Sequence, residues 1–128
     1  MEFIEMNAAA AYRRVDQSSR VEAASPHGLV NILLGEALDQ IDAMHAAILR
    51  GRRAHEAQAR ALGILHALEA SLDHRSGGTT AALMAQVYRE ARRCLTRAAE
   101  EIDPFWCKQA RATVEPIAEA WGAIAQAA

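Results

Sequence analysis

Five histidines, two cysteines and several neighbouring carboxylates are the residues of this 128-residue chain able to act on a substrate or hold a metal. A dinuclear carboxylate centre in a helical protein needs Glu-x-x-His on two helices and a further Glu on each of two others. A zinc peptidase needs His-Glu-x-x-His, a phosphate cradle needs a glycine-rich loop, and acyl transfer on a nucleophile elbow needs Gly-x-Ser-x-Gly. None of these spacings occurs in the chain. His27 and His74 fall at a helix start and in a loop, His55 on an early polar part of a helix, and His45 and His66 on alanine-rich faces, so each reads as a solvated or hydrogen-bonded histidine. Glu100-Glu101 and Asp39 with Asp42 read as solvated helix faces, with no sign of a cleft that would perturb their titration. Cys94 and Cys107 form neither a C-x-x-C pair nor a disulfide framework, which leaves ordinary reduced thiols. The residues therefore predict no catalytic site, no metal and no cofactor, and the chain is not expected to be an enzyme.

Composition narrows the partners. The formal net charge is -2 and the pI about 6.2. Basic residues, 13 Arg and the single Lys108, are scattered among acids rather than gathered in a stripe, which disfavours nucleic acid as the main partner. The arginine bias and the 30 alanines read as the mark of a GC-rich genome. The N-terminus, MEFIEM, has no basic region followed by an apolar run, and no segment reaches the roughly 18 consecutive apolar residues of a membrane span; a cytoplasmic protein is expected. Met6-Asn7 is a candidate natural start.

The elements that would position any site are helical. Few aromatics, many alanines and no alternating β-branched runs predict an all-α protein with no strand, and the length suits one core without staples. Residues 1–25 read as an N-terminal arm: Ala8 to Tyr12 fits a short helix, and Ser19 with Glu22 fits a capping box. The bundle then occupies 26–128. A first helix is predicted from Pro26 to Arg50, capped by Ser25-Pro26 and stopped at Gly51, with a stripe through Val30, Leu33, Leu34, Ala37, Leu38, Ile41, His45 and Ile48. The second runs from Ala54 to Leu72 through Ala57, Ala61, Ile64, Leu65, Leu68 and Leu72. After a loop containing Ser76-Gly77-Gly78, a third starts at Thr79 or Thr80 and ends near Glu101, with Leu83, Met84, Val87, Tyr88, Ala91, Cys94, Leu95 and Ala98 apolar. Asp103-Pro104 starts the fourth, whose stripe is Trp106, Ala110, Thr113, Ile117, Trp121 and Ile124, widened by Phe105, Val114 and Ala118, with Pro116 predicting a kink or early break. Four such helices with short connections pack as an antiparallel up-and-down four-helix bundle.

The first helix carries more apolar surface than one stripe requires, through Leu29, Val30, Ile32, Leu33 and Leu34. Either it is the central helix of its domain, or part of it awaits a partner helix. A homodimer seam is the other use of such a surface.

The residues Ala11-Tyr12, the Val15 and Ser19 spacing, Val21-Glu22-Ala23-Ala24-Ser25-Pro26-His27-Gly28-Leu29-Val30 and Ala37-Leu38 resemble the flagellar export chaperone family FliS. The likeness continues through Ala70-Ser71-Leu72-Asp73 with Gly77-Gly78, the Leu83 to Tyr88 segment, Asp103-Pro104 and Glu119-Ala120-Trp121, from Ala8 to Ile124. It implies a cytoplasmic chaperone that binds the C-terminal segment of flagellin in apolar grooves, prevents premature polymerisation and keeps the subunit competent for type III export. A self-associating structural bundle, or an adaptor for another flagellar regulatory or export protein, is the rival reading.

The resemblance also implies that the arm covers part of the groove, Tyr12 matching the characteristic tyrosine and Val15 and Val21 anchoring it. Client contacts are then expected from Tyr12 and Val15 in the arm and from Leu34, Leu38, Ile41, Leu62, Leu65, Met84 and Val87 on the helical faces. The chain departs from the family where many relatives read Leu-Met-Leu-Tyr-Asp-Gly-Ala: here the run is Asn31-Ile32-Leu33-Leu34-Gly35-Glu36-Ala37, with Leu34 in place of the aromatic.

Overall fold

The structure, a computed structural model, describes residues 26–127, with side chains through residue 123. The predicted arm, its Ser19–Glu22 capping box and the Ser25 cap lie outside the described residues. Within them four helices follow in order: α1 (Pro26–Leu49), α2 (His55–Ala70), α3 (His74–Glu101) and α4 (Pro104–Ala127). No strand occurs among the described residues.

Each boundary has a local cause. Gly51 ends α1 at φ +73, the left-handed position that glycine occupies without a Cβ clash. Its N–H donates to the Ile48 carbonyl at 2.9 Å and that of Arg52 to Ala47 at 2.9 Å, which satisfies carbonyls the helix end would leave open. The break after α2 is sealed by the Ser71 hydroxyl, which donates to the Leu68 carbonyl at 2.8 Å. Asp103 caps α4 by accepting from the Phe105 N–H at 3.0 Å, and Pro104 takes the first helical position as predicted.

Two boundaries differ from the sequence reading. The third helix starts at His74 rather than Thr79, because the Asp73 carboxylate accepts from the Arg75 and Ser76 N–H groups, each at 3.1 Å, and winds the predicted loop into a helical turn. Gly78 (φ 51, ψ -125) then kinks the helix, so the two glycines punctuate α3 from inside. In α4 no break occurs at Pro116; the helix continues to Ala127.

Short connections force each helix back along its predecessor, and α1 packs against α2 and α4 while α3 packs against the same two. This is the expected antiparallel bundle. Its core contains Leu33, Leu34, Ile41, Ile64, Leu65, Tyr88 and Leu95, and no polar or charged residue is buried among the described residues. Ala37, Ala61, Ala85, Ala91, Ala98 and Ala110 are fully buried, small enough to let the helices close on one another. The core line of α4 runs through Cys107, Ala110 and Val114. Of the predicted α4 positions, Ala110 and Val114 are fully buried, whereas Trp106, Ile117 and Trp121 are only partly buried against the core. Trp121 instead meets the ring of His27 at 4.7 Å between centroids, tying α4 to the first turn of α1.

Candidate functional site

Grooves between helices are the concave features open to a partner. Where α1 begins and α2 ends, Pro26, Leu29, Val30, Leu33, Ala67, Leu68 and Ser71 line an apolar cavity of about 310 Å³. It exists because α1 carries two apolar residues, Leu29 and Val30, N-terminal to its core positions, and α2 ends at Ala70 before it can cover them. The surplus apolar surface of the first helix therefore divides: Leu33 and Leu34 enter the core, while Leu29, Val30 and Ile32 remain partly exposed. The helix is flanked on two sides only, not enclosed as a central one.

A second groove of about 280 Å³ lies between α1 and α4, with Ile41 and Cys107 beside Asp42, His45, Lys108, Arg111, Ala112 and Glu115. Arg111 donates to both oxygens of Asp42, at 2.8 and 2.7 Å, and its other nitrogen lies 2.9 Å from Glu115. These acids outweigh desolvation and hold the guanidinium further on the charged side. Desolvation, together with repulsion from Glu36 and Asp42, raises the Asp39 carboxyl. In these walls Asp42, Arg111 and Glu115 satisfy one another. Burial, with help from Asp103, pushes the Cys107 thiol up to about 11, so at neutral pH it is a small apolar side chain.

The residues chosen from helical faces fall into two groups. Leu34, Ile41 and Leu65 belong to one core cluster and are at most 1% exposed. Periodicity identified them as apolar but not which apolar residue faces inward. Leu38, Leu62 and Met84 pack against that cluster with part of their surface free, and Val87 is half-buried. None of the four lines either groove described above. Leu38 lies one turn before Asp42, which reaches α4 through Arg111. Leu62 lies one turn after Gln58, which donates to the Leu95 carbonyl of α3 at 3.5 Å. Tyr12 and Val15 lie outside the described residues. The groove at the start of α1 was missed at Ala67 and Ser71, although Leu29 and Val30 stood out as surplus.

No cluster of three or more His, Cys, Asp and Glu able to hold a metal occurs among the described residues. No helix among them is long and apolar enough to cross a membrane. The flagellar protein FliS family matches residues 8–128. The chain belongs to that family. It is similar to the flagellar secretion chaperone FliS of Vibrio cholerae serotype O1, 28% identical over 116 residues that cover 89% of this chain and 85% of the relative. It is also similar to the flagellar secretion chaperone FliS of Salmonella typhimurium, 30% identical over 124 residues, 89% of this chain and 87% of the relative. The FliS fold thus serves a chaperone of flagellar secretion rather than an enzyme, in keeping with grooves lined by apolar side chains and by satisfied ion pairs. Leu34 is fully buried in the core. Asn31 stands beside Gly122, whose added Cβ would come 3.5 Å from the Asn31 side-chain oxygen, at the α1–α4 contact.

Proposed function

We propose that the chain is a cytoplasmic chaperone for flagellin that holds the C-terminal segment of that client in its apolar grooves, prevents premature polymerisation and keeps the subunit ready for flagellar export. Membership of the FliS family supports the chaperone role. The observation that carries the client reading is the apolar groove at the start of α1, because Pro26, which lines it, is also the first residue after the arm. An arm carrying Tyr12 and Val15 is then attached at the rim of the groove it would gate. Ordering a client segment there costs about 2–5 kcal/mol, which burial of its apolar face offsets. Leu38, Leu62, Met84 and Val87 supply further contact surface, whereas Leu34, Ile41 and Leu65 shape the grooves from inside.

Calorimetry with the C-terminal segment of the organism's own flagellin tests the reading. Saturable binding that weakens at least tenfold in Leu29→Asp supports it. Absence of binding to that segment overturns it. Tyr12→Ala separates gate from anchor: a changed affinity or on-rate supports the gate, and a lower melting temperature with both unchanged removes it.

A further inference from the structure

No residue of α1 before Leu33 is fully buried. Pro26 to Ile32 therefore carry the helix about 10 Å past its first core side chain, at roughly 1.5 Å per residue. This projecting stretch supplies Pro26, Leu29 and Val30 to the groove that Ala67, Leu68 and Ser71 of α2 complete. Val30 packs on the core with part of its surface, while Pro26 is exposed and Leu29 half-buried. Helix ends with few buried contacts open at little free-energy cost, and a wall that opens must be ordered again by whatever binds against it.

On its α4 side the same stretch is gripped. The His27 ring lies 4.7 Å from that of Trp121, tilted by 46°, a separation at which aromatic rings attract beyond their buried area. One turn further along α1, Asn31 faces Gly122. Trp121 is itself seated against the core by part of its surface, so it offers His27 a fixed point. At about 100° per residue, His27 and Asn31 lie roughly 130° around α1 from the mean direction of Pro26, Leu29, Val30 and Leu33. The ring contact and the groove thus occupy different faces of the same two turns, and His27 does not line the groove.

We infer that His27 is a positioning residue for client binding: through its contact with Trp121 it clasps the first two turns of α1 to α4 and holds the α1 wall of the groove in the geometry that receives the flagellin segment. The inference rests on the reading of that groove as the client site. His27 acts through Trp121 and the helix backbone, from the face of α1 turned away from the groove. Its contribution to affinity is the ordering that the client then need not supply.

The test compares His27→Ala and His27→Phe in the full chain, by hydrogen exchange without client and by calorimetry with the C-terminal flagellin segment. Exchange is read at the amides of residues 30–33, which in an α-helix donate to the carbonyls of the first turn. His27→Ala should lower their protection and weaken the segment by about three- to tenfold, with the melting temperature within about 3 °C of the parent. His27→Phe, which keeps a ring for Trp121, should restore both readouts to within about twofold. Alanine is the better helix former, so a role in helix propensity alone predicts the opposite change in exchange. In a Trp121→Leu background, His27→Ala should add nothing further to either readout. Unchanged protection in His27→Ala overturns the clasp whether or not the segment binds. Lost protection with undiminished affinity overturns the positioning role, and a His27→Phe variant that behaves as His27→Ala, or additive losses with Trp121→Leu, overturns the ring contact as its cause. A parent chain that does not bind the segment removes the flagellin reading, and the positioning role with it, while the exchange still reports whether His27 holds the wall.

Discussion

Gly35 lies on the exposed side of α1, and a Cβ built there meets no atom within 4 Å. Glycine in a helix interior costs up to about 1 kcal/mol relative to alanine. Gly35→Ala should therefore raise stability by about 0.4–1 kcal/mol, read as a higher urea midpoint with an unchanged slope. Gly78 is the opposite case. Its φ of 51 with ψ -125 is open only to glycine, and Gly78→Ala should cost about 1–3 kcal/mol in the same experiment. The cysteines supply a third check. Cys94 and Cys107 are free and buried; burial raises both thiols, with Glu90 adding to the effect at Cys94. Neither should react with a thiol reagent at pH 7 until the chain unfolds, and labelling at the rate of a free thiol in the native protein would contradict this burial.

At the scale of elements, the α2–α3 seam carries one ion-pair network of consequence. Glu69 of α2 accepts from Arg89 at 2.8 Å and lies 2.6 Å from Arg92, both on α3, and its side chain is only 20% exposed. Desolvation alone would raise its carboxyl, but the hydrogen bonds and charges of Arg92 and Arg89 outweigh it and hold the group below the usual carboxylate range. A carboxyl depressed in the folded state stabilises above its unfolded value, near 4.3, and loses that contribution as pH falls through the folded value. Glu69→Gln should accordingly cost about 1–2 kcal/mol at pH 7, and the gap from the parent should close as pH drops below about 4. A gap independent of pH would assign the loss to shape instead of charge. The equivalent α1–α4 tie, Asp42–Arg111–Glu115, is more exposed and worth less.

For the whole molecule, the decisive separation is between side chains that build the bundle and side chains that meet a partner. Leu34 is fully buried, so Leu34→Ala should cost about 2–5 kcal/mol, and any binding loss should follow the unfolded fraction. Leu29 lines the open groove, so Leu29→Asp should leave the melting temperature nearly unchanged while weakening the flagellin segment. If both variants lose stability equally, the groove at the start of α1 is part of the core and not a docking site.

The sequence by itself determined the four helices, their order and their ends at Gly51 and Asp103-Pro104, because caps, prolines and helical periodicity act within a few residues of chain. It also determined the family, through the run from Tyr12 to Leu38 and its later companions. Only the tertiary structure decided which apolar residues face inward. A stripe on α1 is wide enough that Leu34, Leu38 and Ile41 look alike from spacing, and their separation into core and rim depends on where α2 and α4 lie. The Asp73 cap that winds His74–Gly77 into α3 needed a carboxylate facing two particular N–H groups, a geometry the Gly-Gly signal concealed.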